Sequence, residues 1–227
     1  MPENKATLFS SFSFLRMQPE FKRLSPNEQM TAKREFEDML ASHQERIFLR
    51  TYMTAGLNAE SDIMIWRMCR RVSRLQELSS SLMKTGMGKW LIPAKEYLGI
   101  FSFKTAGPEE QAEKEANEKF GRFPYMSLHA VKKNDKWHFL KEEERNNVCA
   151  ERQNVLNKYK NVNENVFLSY GLGQQDFIIQ REAEAAIDLE AITYDLRQLK
   201  NKEYTISDNP YFFCIGRGLA EILDHLA

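Results

Sequence analysis

Cysteine is scarce in this sequence. Cys69, Cys149 and Cys214 are far apart and odd in number. A disulfide framework wants an even set, and a zinc site wants close pairs, so neither is expected. The expectation is three small core residues in a reducing, cytoplasmic setting. An excess of charge of one sign is also lacking. Lys and Arg total 32, and Asp and Glu total 32. Binding nucleic acid or an anionic membrane needs a concentrated basic surface, so neither is an expected partner. No apolar run approaches the length of a membrane span. The stretch MPENKATLF has no basic segment leading into a long apolar one, so no secretory signal is expected. Histidine is rare, and His43, His138 and His225 lack the paired helical spacing of zinc enzymes. No metal site is expected. What remains is a chain of 227 residues, 42% hydrophobic and 28% charged. That composition suits one large soluble domain or two small ones.

The chain repeats itself. LFSSFSFLRM alternates Phe12 and Phe14 with serines, as a strand does. SPNEQMTAKREFEDMLASHQ opens as a helix, with Ser25 as cap, Pro26 in the first turn and Glu28 completing a capping box. RIFLRTYMTAG and DIMIWRMC read as strands. RRVSRLQELSSSLM is a helix through Leu75, Leu78 and Leu82, and EYLGIFSF closes the half as a strand. The second half follows the same order, from FPYMSLHAVKK through NVFLSYGLG, DFIIQRE and AAIDLEAITYDLRQLK to PYFFCIGRG. The hairpins GLNAESDIMIW and GLGQQDFIIQ even share wording. Gly56 and Gly171, 115 residues apart, permit the turn, and Asp62 and Asp176 start the strand after it. Two β-α-β-β-α-β units imply an α+β, tandem ferredoxin-like fold with antiparallel sheets packed together. The expected boundaries are 1–104 for the first half, 105–120 for a polar linker or surface insertion, and 121–227 for the second half.

One position interrupts the pattern. EEERNNVCAERQNVLNKY is an amphipathic helix with Val148, Cys149, Val155, Leu156 and Tyr159 on one stripe. Arg152 lies inside that stripe. It could snorkel to solvent, form a buried ion pair with a carboxylate, or serve as an anion hook. Strand periodicity sorts two further segments. Tyr125, Ser127, His129 and Val131 share one face, and so do Asn163, Asn165, Phe167 and Ser169. Taken by themselves these sets read as solvated sheet faces, with the wall of one shared cavity as the alternative.

The halves together resemble the chlorite dismutase-like family, which includes chlorite-decomposing heme enzymes and coproheme decarboxylases. The resemblance runs through FSFLRMQPEFKRL, YMTAGLNAESDIMIWRM and EYLGIF, then FPYMSLHAVKKNDKWHFLKEEER, GLGQQDF, DLRQLKNKEYT and NPYFFCIGRG. It implies a tandem ferredoxin-like protomer, a homopentameric ring, and a porphyrin pocket in the C-terminal half. The motif W-Y-x-L-x-x-E-E-R of the family is matched from Trp137 to Arg145, with His138 in place of the aromatic.

By the same resemblance, Arg152 stands where heme-binding members carry the histidine that ligates iron, and because the family often places an acidic residue near that histidine, Glu203 is the implied ion-pair partner. Arginine stays protonated and has no lone pair to give. Asn165 falls on the distal position, Tyr125 on the radical-forming tyrosine of the decarboxylases, and His129 on a nearby lysine. These three are the implied catalytic positions. Lys133 and Arg197 match propionate-binding residues, and Lys202 replaces a small polar one. With Trp137 and Arg152 they form the implied cofactor-binding set. Two readings follow. One is a heme-free member binding a small or anionic ligand, with no cofactor. The other is a heme- or coproheme-dependent oxidoreductase with a different axial ligand such as His129, or less readily Cys149.

Overall fold

A computed structural model describes residues 5–105, 107–108 and 111–226. It divides into two compact units, Met1–Gly121 with Cys214–Ala227, and Arg122–Phe213. These limits differ from the sequence expectation. Half of the segment 105–120, Ala112–Lys119, folds into a helix of the first unit. The last helix belongs to the first unit rather than the second. Ala106, Glu109 and Glu110 of the expected linker lie outside the described residues.

In the first unit, β1 (Lys5–Met17), β2 (Phe48–Met53), β3 (Ile63–Cys69) and β4 (Leu91–Lys104) form an antiparallel sheet. Their order is β4-β1-β3-β2, which is the ferredoxin-like arrangement. Helices α1 (Pro26–Ala41) and α2 (Val72–Leu82) supply the crossovers. Ser25 caps α1 as its sequence predicts. Its backbone N–H donates to Glu28 Oε2 at 2.8 Å, closing the capping box. Phe36, Leu40, Leu75, Leu78 and Leu82 recur at helical spacing and are buried in one core. The C-terminal helix, Leu219–Leu226, adds Ile222, Leu223 and Leu226 to that core. Each such side chain contributes about 1.5–3 kcal/mol by leaving water. Residues 112–119 form α3 (Ala112–Lys119), whose buried Ala112, Glu113 and Ala116 make too faint a pattern to read in sequence.

β3 places a charge inside this unit. Arg67 is buried and donates to Ser79 Oγ at 2.5 Å, to Ser11 Oγ at 2.7 Å and to Ser13 Oγ. Ser79 Oγ in turn donates to the Leu75 carbonyl at 3.0 Å. Glu96 lies 3.3 Å from the guanidinium. A charged group this deep is tolerated only with such partners.

The second unit has β5 (Tyr125–Lys133), α4 (Asp135–Phe139), α5 (Glu142–Leu156), β6 (Val162–Leu168), β7 (Phe177–Ala183), α6 (Ala186–Arg197), β8 (Thr205–Ser207) and the first half of β9 (Tyr211–Gly216), up to Phe213. The main strands run β9-β5-β7-β6, so this unit is ferredoxin-like as well. The additional β8 pairs with Lys132 and Lys133 of β5. The two turns repeat in detail. Gly56 and Gly171 both have positive φ, 75° and 73°. Asp62 Oδ2 accepts from the Met17 N–H at 2.7 Å, and Asp176 Oδ2 accepts from the Lys133 N–H at 2.7 Å. Each aspartate thereby pins the end of the first strand of its unit. In the second unit that fixes the backbone of Lys133.

Among the described residues, no helix is long and apolar enough to cross a membrane. Cys69 and Cys214 are buried as expected, but Cys149 is exposed. The helix carrying it buries only Val155, so its apolar stripe is shallower than its sequence suggests.

Candidate functional site

A cavity of about 190 Å³ opens in the second unit, bounded by its sheet, α5 and α6. The pleat decides which strand residues face it. His129, Val131 and Lys133 come from β5, Phe177, Ile179 and Arg181 from β7, and Val166 from β6. The register explains the set, because Ile179 pairs with both His129 and Val166, and Arg181 with both Ser127 and Glu164. All lie on one face of the sheet.

That register corrects the expectation for Asn165. It points to the opposite face, where it is buried and donates to Gln180 Oε1 at 2.6 Å. Phe167 shares that face and is fully buried. The spacing from Arg152 to the strand is off by one residue, and one residue reverses every side chain. Glu164 and Val166 hold the positions assigned to Asn163 and Asn165. Tyr125 is corrected too. It stacks on Phe213 at 6.0 Å between ring centroids and is not part of the cavity wall.

Arg152 faces inward, as the stripe predicts. Val148, Cys149 and Arg152 of α5 all line the cavity. Its partner is Glu164, not Glu203. Arg152 Nε donates to Glu164 Oε1 at 3.2 Å, and Nη2 donates to Oε2. The same Oε2 accepts from Arg181 Nε at 2.7 Å. Arg181 Nη1 donates to Thr193 Oγ1 at 3.1 Å, and that hydroxyl donates to the Leu189 carbonyl. Two arginines therefore share one carboxylate. Arg181 and Glu164 are nearly sealed, at 2% and 6% side-chain exposure, whereas Arg152 keeps 18%. Burial pushes the Glu164 carboxyl up, but the two guanidiniums prevail and hold it below the ordinary carboxylate value.

His129 is buried and lies flat on Tyr211, with centroids 4.1 Å apart. Its Nδ1 is buried and, among the described residues, has no hydrogen-bond partner. Burial, then the charges of Arg181, Arg152 and Arg197, keep this imidazole neutral well below its usual titration range. Lys133 Nζ donates to Asn201 Oδ1 at 2.7 Å and Thr205 Oγ1 at 3.1 Å. It also lies 4.6 Å from the centroid of the Trp137 ring, and both residues line the cavity. Arg197 and Lys202 reach the mouth, half exposed, 3.8 Å and 3.7 Å from Asp208. The site thus gathers Lys133, Arg152, Arg181, Arg197 and Lys202 against Glu164 and Asp208. The remaining wall is apolar, chiefly Val131, Val148, Phe177, Ile179 and Leu196. Positive charge beside apolar surface suits an organic anion. Among the described residues, no three His, Cys, Asp or Glu side chains are grouped to hold a metal ion.

The family model for chlorite dismutase matches residues 29–217. A coproheme decarboxylase of Mycolicibacterium smegmatis is 25% identical over 162 residues, covering 71% of this chain and 69% of that protein. The crystal structure of a mutant chlorite dismutase from Candidatus Nitrospira defluvii superposes with a TM-score of 0.86 at 25% identity. It covers 96% of this chain and 95% of that one. A novel heme-binding protein from Thermus thermophilus gives a TM-score of 0.84 over 100% of this chain and 98% of that one. At 15% identity, that last likeness speaks to the fold alone.

Proposed function

This chain belongs to the chlorite dismutase family, and on that premise we propose that its cavity binds a small organic anion and does not ligate heme through residue 152. The observation that carries the reading is the Arg152–Glu164–Arg181 cluster. An axial ligand must give a lone pair to iron, and a guanidinium has none. Here that guanidinium is also engaged by a buried carboxylate. His129 is the alternative ligand, but three arginines surround it electrostatically. Burial comes first in keeping this imidazole neutral, and the added positive charge of the three arginines disfavours a further cation, a ferric centre included, beside it. The residues present therefore do not fit histidine-ligated heme. They fit a carboxylate-bearing molecule with an apolar body, received by the cations at the mouth and wall.

Titration with hemin and coproheme tests this. The expected result is no sharp, shifted Soret band, together with a rise in melting temperature on adding benzoate or 2-oxoglutarate. Arg152→Ala should weaken that anion binding by roughly tenfold or more. A sharp band that survives Arg152→Ala and vanishes in His129→Ala would replace this reading with a heme-dependent oxidoreductase ligated from the opposite wall. The proposal extends to assembly as a homopentamer. Light scattering should then give about five times the 26.6 kDa chain mass, and a monomer mass contradicts it.

A further inference from the structure

Lys133 has an unusual setting for a lysine. It is buried at the end of β5, and its ammonium meets two neutral oxygens and the face of Trp137. Among the described residues it forms no ion pair. Burial and the nearby Arg152 push its amine down to about 8, with Cys149, Asp176 and Asp208 opposing them only in part. A lysine desolvated beside another cation is the usual way to keep a free amine near neutral pH. Arg152 lines the same cavity with Nε and Nη2 on Glu164, leaving Nη1 for a ligand carboxylate, and the backbone N–H of Lys133 is pinned by Asp176. The nucleophile is therefore held in place on a rigid strand.

We infer that Lys133 condenses reversibly with the carbonyl group of a small 2-oxo acid, whose carboxylate pairs with Arg152. Nζ bonds to the carbonyl carbon, the carbon–oxygen double bond breaks, and the two amine hydrogens leave with the oxygen as water. The product is an imine, and no oxidant or reductant is consumed. This rests on the anion-binding reading and gives it a substrate class. Lys132 is the contrasting neighbour. It is half exposed and ion-paired with Asp176 at 3.3 Å, so it stays an ordinary surface lysine.

The test is reductive trapping of the intact protein with glyoxylate and sodium borohydride, followed by mass spectrometry and peptide mapping. The expected product is one carboxymethyl group on Lys133, formed about tenfold faster than on any other lysine. Its rate should level off above pH about 8, where an ordinary lysine would still be gaining free amine. Lys133→Arg should abolish the adduct, and Arg152→Ala should slow it for both aldehydes, because loss of the neighbouring cation lets the amine rise, but several-fold more for glyoxylate than for acetaldehyde. Adducts spread evenly over surface lysines, unchanged in Lys133→Arg, overturn the inference. If glyoxylate raises the melting temperature but leaves Lys133 unmodified, the imine falls while the anion-binding reading stands. If it does neither, both fall.

Discussion

Replacing Glu164 by alanine is expected to destabilise the protein by about 3–5 kcal/mol, read as a drop in the urea midpoint. The reason is asymmetry. The carboxylate is shared by two guanidiniums, and one of them, Arg181, is 2% exposed. Deleting the acid leaves that charge buried without its partner. Arg152 can swing toward water, since it keeps 18% exposure, so most of the cost falls on Arg181. Removing the charge at the same time, as Glu164→Ala with Arg181→Met, should therefore recover much of the loss. If the single variant costs under about 1 kcal/mol, the cluster is solvated and the buried ion-pair account fails. The pH dependence follows from the depressed acid. Its contribution is fully present above the unfolded-state value near 4.5 and is lost as pH falls through the lower folded-state value. The gap between wild type and Glu164→Gln should thus be widest above pH about 5 and close in acid.

Arg152→His should gain heme binding, at least about tenfold over wild type, with a sharp Soret band appearing on titration. Glu164 makes this more than a simple restoration. With the arginine gone, its carboxylate remains within reach of position 152 and can accept the second N–H of the new imidazole. Metal-bound histidines are commonly oriented by such an acid. The added variant Glu164→Gln in this background should weaken the band. A flat titration would mean that the cavity wall, and not residue 152 alone, refuses the porphyrin.

The sequence made some of this legible for physical reasons. The repeated glycine–aspartate turn is legible because each part has a fixed job, a positive φ at Gly56 and Gly171 and a backbone acceptor at Asp62 and Asp176. The face of β5 was readable because Lys133, tied to Asp176, anchors its alternation. The face of β6 was not. Between Arg152 and that strand the chain leaves a helix and turns through residues 157–161, and no periodicity carries across such a break. VNENVFL is also polar at both parities, so the pattern could not reveal the slip that turns Asn165 away and Glu164 inward. The partner of Arg152 was lost for the same reason. The C-terminal helix was placed with the wrong unit because its contacts, such as Lys33 with Asp224, are long-range.

Arg67 and Arg181 stand at the same spacing as Asp62 and Asp176, and their helix hydroxyls, Ser79 and Thr193, keep that spacing too. The duplication has therefore copied an expensive element along with the scaffold. In one copy, serines on β1 crowd around the guanidinium and close the space. In the other, the space stays open and a second arginine has moved in. The molecule consequently contains its own reference experiment. Any effect seen at Arg181 can be compared with the same change at Arg67, in the same chain and solvent, and the difference isolates what the open copy adds.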